Sequence, residues 1–326
     1  NGFFSKMDAK LSFTDYEHPE ALEAVFQNDT FEGRVDAKHK PLLGMDGVMG
    51  FQMISSLFSA NEIGGEYINP KTRTNSYAVF AQESFDLGHN NAGQFGLRIE
   101  QDFVDSENRP NTRTNSYRSF TPISLSVSDL WSIYNEISIS LAITRSQRAP
   151  IANELYFEGD HEATATFQKG NPNLNMETSY NIDLGYKSSS EKVAFEINLF
   201  HNWVNDYIYS ARTGGTGGEE NNPEVLYEQA AANFMGYEAQ LVYHVGEVNS
   251  QDVDLTLFSD YTRGKLYNNG DVPRIPPLRF GFQLDHRNGN WKSNLRLTHA
   301  LRQGHTGHIE ADTPGYNLLN LNTHYH

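Results

Sequence analysis

The chain has 326 residues, 38% of them apolar, no cysteine and a formal net charge of -16, with a mean hydropathy of -0.59. It contains no run of about 18 apolar residues, which excludes a transmembrane helix, and without cysteine it has no disulfide framework. The acid excess argues against a nucleic-acid partner, because neutralising phosphates needs a basic surface, and it suits a surface that gathers cations.

Taken in chain order, fourteen segments have strand character, starting near Lys6, Glu23, Gly47, Arg73, Ala92, Arg113, Tyr134, Met176, Val193, Val225, Val253, Leu278, Trp291 and Tyr316. Their alternation is clean. Ile137, Ile139, Leu141 and Ile143 alternate with Ser138, Ser140, Ala142 and Thr144, and Leu278, Phe280, Phe282 and Leu284 with Arg279, Gly281, Gln283 and Asp285. Val193, Phe195, Ile197 and Leu199 repeat the pattern. A period of two puts apolar residues on one face and polar ones on the other, whereas an amphipathic helix needs apolar spacing of three and four.

The connections alternate in length. Short ones fall at 88–91, 188–191, 246–250 and 287–290, and long ones at 59–72, 148–175, 211–224, 265–277 and 303–315. Membrane barrels join their strands by short periplasmic turns and longer outer loops, and their two-faced strands average out polar, as here. The expected fold is therefore all-β, an antiparallel transmembrane β-barrel. The 17 Tyr, 20 Phe and 3 Trp suit aromatic girdles. A six-residue echo, Thr72–Tyr77 and Thr112–Tyr117, predicts two strands entered from long loops, and two copies do not make a solenoid.

This topology sorts the titratable residues. His161, His305 and His308 fall in long loops, and His18 in a short connection after the first strand. Glu62, Glu66, Glu154, Asp160, Glu162, Asp271 and Glu310 share that end. Without cysteine, zinc is bound through imidazole nitrogen and carboxylate oxygen. Of these residues, His305, His308 and Glu310 have a spacing that permits chelation from one loop, while His161, Asp160, Glu66 and Glu62 are candidate metal residues by resemblance to a known family. His201, His244, His286 and His299 are read as strand residues, and His39 and His89 as turn residues. No Gly-x-Ser-x-Gly, phosphate-binding loop or His-Glu-x-x-His occurs, so no enzyme is expected and no cofactor is assigned.

Between Arg148 and Glu177 the chain joins Arg148-Ala149-Pro150 to Glu154-Leu155-Tyr156, then Gly159-Asp160-His161-Glu162-Ala163-Thr164, and closes on Asn171-Pro172-Asn173-Leu174. This order resembles TonB-dependent outer-membrane receptors, and the Gly-x-His-x-Ala-Thr element resembles their zinc-uptake branch. The resemblance implies a twenty-two-strand barrel around an N-terminal plug. Residues 1–326 would then be part of the barrel domain, with the plug and the last strands outside it. It also implies zinc as the transported ligand, energy coupling through the TonB–ExbB–ExbD system and contact with outer-membrane lipid. A haem receptor fits the same order, since it too places a histidine between these runs. Here Gln147 precedes Arg148 where haem receptors carry an aromatic residue, and acidic neighbours would repel propionates. A siderophore receptor, a passive porin-like channel and a surface adhesin also stay open. Glu154, Tyr156, Arg148, Pro150, Asn171 and Pro172 are read as shaping the wall.

Overall fold

The computed structural model describes residues 2–20, 24–62, 67–107, 116–134, 136–161, 164–218, 221–248, 251–267, 270–308 and 310–326. Its long strands are β1 (Phe4–Glu20), β2 (Ala24–His39), β3 (Met45–Glu62), β4 (Tyr67–Gly88), β5 (Asn91–Ser106), β6 (Tyr117–Phe120) continued by β7 (Ile123–Tyr134), and β8 (Ile137–Arg148). After α1 (Ala152–Tyr156), β9 (Glu158–His161) and β10 (Thr166–Lys169) come β11 (Glu177–Ser189), β12 (Val193–Gly217), β13 (Asn222–Val248) and β14 (Gln251–Leu266). The short β15 (Gly270–Asp271) precedes β16 (Arg279–Asn288), β17 (Trp291–Ala300) and β18 (Tyr316–Tyr325).

With β6 and β7 counted together, the fourteen expected strands are all present, and β9, β10 and β15 are additions. Each long strand pairs antiparallel with the next one along the chain, and β8 pairs with β11 across the insert between them. Among the described residues no ladder joins β18 back to β1, so this is one large open meander rather than a closed ring.

The register explains the alternation. Val35 faces Phe51, Phe51 faces Val79, Val79 faces Ile99 and Ile99 faces Ile123, which forms one row across five strands. A second row runs from Val127 through Ile143 to Ile182, and a third from Leu257 through Phe282 and Leu297 to Leu319. Most of these side chains are exposed, Val79 to 54% and Val127 to 49%, while Phe282 and Leu297 are half-buried. A contiguous apolar face of this extent marks a surface built for an apolar medium.

The other face is polar and bonded to itself. Gln52 donates to Glu32 at 2.6 Å, Arg98 donates to Gln52 at 2.9 Å, and Arg34 forks onto Asp36. Asn294 donates to Asp285, and Arg296 donates to Gln283 while stacking 3.9 Å over Phe258. Gly50 and Gly236 make room on this face, since a Cβ on either would meet the ring of Phe80 or Phe200 within 2.5 Å.

Three sequence expectations need correction. Within the expected loops, residues 59–62, 67–72, 211–217 and 222–224 are strand. β3 and β4 stay paired to Asn61 and Tyr67, and β12 and β13 to Gly217 and Asn222, with register shifts on the way. Bulges break the side-chain period while the backbone ladder goes on, so polar and glycine-rich hairpin arms read as loop. Thr72 therefore lies inside β4, whereas residues 112–115 of its echo are outside the described residues. His18 is likewise a β1 strand residue, opposite Phe26 and stacked on its ring at 5.1 Å. Tyr134 ends β7 rather than opening β8.

Candidate functional site at the loop end

The connections β1–β2, β3–β4, β5–β6, β8–β11, β12–β13, β14–β16 and β17–β18 all lie at one end of the sheet, called here the loop end. The insert between β8 and β11 folds back there onto the polar face. Leu155 and Leu174 pack with Val104, Phe120, Tyr156 and Ile208 in a buried cluster. Burying each leucine contributes about 1.5–3 kcal/mol.

The α1 turn follows Pro150, with Ile151 as its N-cap and Ala152 as its first helical residue. The Glu154 carboxylate accepts the Ile151 N–H at 2.9 Å and satisfies one of the turn's orphan donors. The same carboxylate accepts both terminal nitrogens of Arg148 at 2.8 and 2.9 Å, while the Arg148 Nε–H is bonded to Glu177. Glu177 also accepts the Ile208 N–H at 2.6 Å, which ties β8, α1, β11 and β12 together. Burial opposes the charge on Arg148, but the hydrogen bonds and charges of Glu154, then Glu177, hold its pKa above the ordinary value.

The closing turn completes the insert. The Asn171 N–H donates to Glu154 O and the Gly170 N–H to Phe157 O, satisfying carbonyls that the short helix leaves open. Gly170 passes so close that a Cβ would lie 2.6 Å from the Leu155 carbonyl carbon and the Tyr156 nitrogen. The Asn171 side chain accepts the Asn173 N–H in an Asx turn and donates to Tyr227 O on β13. Arg118 donates to the carbonyls of Pro172 and Leu174. Burial pushes the Tyr156 hydroxyl up to about 12; Arg118 opposes this shift and Asp105 adds to it. These residues brace the insert against β5, β6, β12 and β13.

His161 ends β9, half-buried, with Nδ1 3.2 Å from the Thr164 hydroxyl. Its Nε2 has no partner among the described residues. Asp160 is its strand neighbour, so the two side chains leave the hairpin on opposite faces. Asp160 accepts the Asn222 amide at 2.9 Å and lies against Gly218, whose φ of +73° and lack of a Cβ allow the approach. Glu62 ends β3 opposite Ala24 and is exposed. Glu66 lies outside the described residues, as does Glu162.

The second histidine group lies between β17 and β18. His305 Nδ1 is 3.8 Å from Asp271 Oδ2, while the other Asp271 oxygen accepts from Arg263 at 2.8 Å. His308 is exposed, and with Asp271, Arg212, Glu228, Tyr209, Leu266 and others it lines a cleft of about 530 Å³. The Glu310 carboxylate is occupied by backbone, accepting the Arg274 N–H at 2.7 Å and the Gly307 N–H at 2.9 Å. Among the described residues no three His, Asp or Glu side chains stand close enough together to hold a metal ion.

The β12–β13 hairpin connects the two groups. Phe167 of β10 lies over Gly217 and Asp160 lies at Gly218, while Thr213 and Gly214 of the same hairpin line the His308 cleft. β10 also pairs with Glu224–Leu226 of β13 in parallel. Lys169, then Thr213, bond the Glu224 carboxyl and hold it below the usual carboxylate range. Sequence reasoning did not single out Asp271 as a partner of His305, or Glu177 as a partner of Arg148. The second was within reach, because pairing β8 with β11 puts those two residues opposite each other.

The profile of the family described as TonB dependent receptor-like, beta-barrel matches residues 3–326. The chain belongs to that family. As a TonB-dependent receptor barrel it is similar in fold to several solved structures. The Copper transporter OprC superposes over 100% of this chain and 56% of its own, with a TM-score of 0.82 at 16% identity. The FrpB iron transporter from Neisseria meningitidis (F5-1 variant) gives 0.72 at 11% identity, over 100% of this chain and 54% of its own. The ferric yersiniabactin uptake receptor FyuA from Yersinia pestis gives 0.61 at 10%, over 98% and 50%. The chain thus spans about half the length of these receptors.

Proposed function

We propose that this chain is barrel wall of an outer-membrane TonB-dependent receptor that imports a metal ion, with zinc as its cargo. The apolar face would meet outer-membrane lipid, the polar face would line the lumen, and the loop end would form the outer mouth. Energy coupling to TonB–ExbB–ExbD would act through a plug domain. The observation that carries the reading is that imidazoles and carboxylates collect around one hairpin at the loop end. His161 keeps Nε2 for a ligand, and His305 and His308 stand beside Asp271. Imidazole and carboxylate are the donors zinc takes where thiolates are absent. The names of the fold relatives give copper, iron and ferric yersiniabactin as cargo, which supports metal transport as a class.

A second reading, a metal chelate or haem, is favoured by the cleft beside His308. Its size falls in the range of small-molecule sites, and Tyr209 and Leu266 give it apolar walls. Calorimetry on the full receptor with zinc and with haem separates the two. Zinc binding that weakens in His161→Ala supports the first reading. Unchanged zinc affinity with loss of haem binding establishes the second.

A further inference from the structure

On β8 the apolar face carries Ile137, Ile139, Leu141 and Ile143, and the next residue on that face is Arg145. It stands opposite Leu125 on β7 and Tyr180 on β11, and Tyr180 in turn stands opposite Trp203 on β12. These neighbours are exposed: Leu125 39%, Ile143 48%, Tyr180 43% and Trp203 42%. One terminal nitrogen of Arg145 donates to Ile123 O at 2.9 Å. No carboxylate lies within ion-pairing distance of Arg145 among the described residues, whereas Arg34, Arg98 and Arg279 on the polar face each have one. The chain has 41 acids to 25 bases, so an arginine without an acid partner on its most apolar face calls for an anion from outside.

We propose that Arg145, flanked by Tyr180 and Trp203, binds the phosphate of an anionic lipid, specifically the phosphorylated glycolipid lipid A in the outer leaflet. Depth is the first argument. An arginine facing lipid costs about 2–4 kcal/mol at the midplane and about 0–1 near the interface. Beyond Arg145 the same face turns polar, with Gln147 donating to Thr178 at 3.0 Å and accepting the Ile123 N–H at 3.1 Å. Arg145 therefore sits where the apolar belt ends, the level at which Tyr and Trp rings prefer to lie. Chemistry is the second argument. A guanidinium is planar, weakly hydrated and matched to two phosphate oxygens, and most of its donors are unused here. The inference rests on the outer-membrane placement in the proposed function and not on the identity of the cargo.

The test uses the full receptor in phosphatidylcholine nanodiscs doped with lipid A, followed by native mass spectrometry without metal. We expect retention of lipid A on the unmodified receptor and loss of retention when its phosphates are removed enzymatically. Retention should fall about tenfold in Arg145→Gln and stay unchanged in Lys10→Gln, a cation opposite Arg34 on the polar face. Equal retention of lipid A and its dephosphorylated form overturns the proposal, as does an equal loss in both variants. Because the first comparison needs no substitution, a variant that fails to fold leaves the test intact. A receptor that does not enter nanodiscs overturns the membrane placement itself, a result distinct from entry without lipid retention.

Discussion

The two long excursions at the loop end are built on different principles. The insert between β8 and β11 is tied down at both ends: Arg148 bridges two carboxylates, Leu155 and Leu174 are buried, and Asn171 bonds to β13. Among the described residues, the segment between β17 and β18 has one isolated bridge, Gln303 with Thr313, and leaves His305 and His308 exposed. The first carries the motif by which the family resemblance is seen, and its residues are occupied with one another. The second has no such motif and leaves its two imidazoles exposed, although its Glu310 carboxylate is bonded to backbone. A family signature can therefore report architecture through residues that are bonded to one another.

That contrast can be broken experimentally. The largest effect is expected for Glu154→Ala, which leaves Arg148 with one carboxylate and the Ile151 N–H without an acceptor. Breaking a fully buried pair costs about 3–5 kcal/mol, and because Arg148 is 43% exposed the expected loss is nearer 2 kcal/mol. The midpoint of urea unfolding in detergent measures it, and an unchanged midpoint would contradict the bracing role. Gly170→Ala comes next, at about 1–2 kcal/mol from forcing a methyl against backbone, read as faster protease cleavage between residues 149 and 176.

Alkali gives a third and smaller effect. The folded Tyr156 hydroxyl lies at about 12, above its unfolded value near 10. Its stabilising contribution is complete below the unfolded value and is lost as the pH rises through the folded one. The insert should therefore loosen between those limits, seen as tyrosinate absorbance and missing from Tyr156→Phe. The smallest stability change, within about 0.5 kcal/mol, is expected for His305→Ala with His308→Ala. Zinc affinity, measured by calorimetry, should nevertheless fall in that double variant. A large loss of stability there would show that the two segments do not differ as described.

The fold was legible because apolar rows such as Val35–Phe51–Val79–Ile99 need a strict period of two in every strand. It stopped being legible at the tips of β3–β4 and β12–β13, where bulges at Phe58 and Val204 shift the register. Past a bulge the side-chain pattern no longer reports the backbone ladder. The site was legible as a set of residue types at one end of the sheet. What could not be read was which neighbours would be turned apart, since Asp160 and His161 differ in direction only once residues 158–161 are known to be a strand. Nor could the sequence bring Asp271 to His305 across the gap between β15 and the β17–β18 connection.

One pairing also constrains the order of assembly. β10 lies parallel to residues 224–226 of β13, in a sheet otherwise built of antiparallel neighbours. Antiparallel neighbours can close as hairpins while the chain grows, whereas a parallel partner must come from farther along it. Residues 166–169 therefore cannot reach their final place until the whole of β11 and β12 has been laid down and β13 has started. The end of the insert thus precedes β13 in the sequence but follows it in the fold, because strands laid down later make its seat.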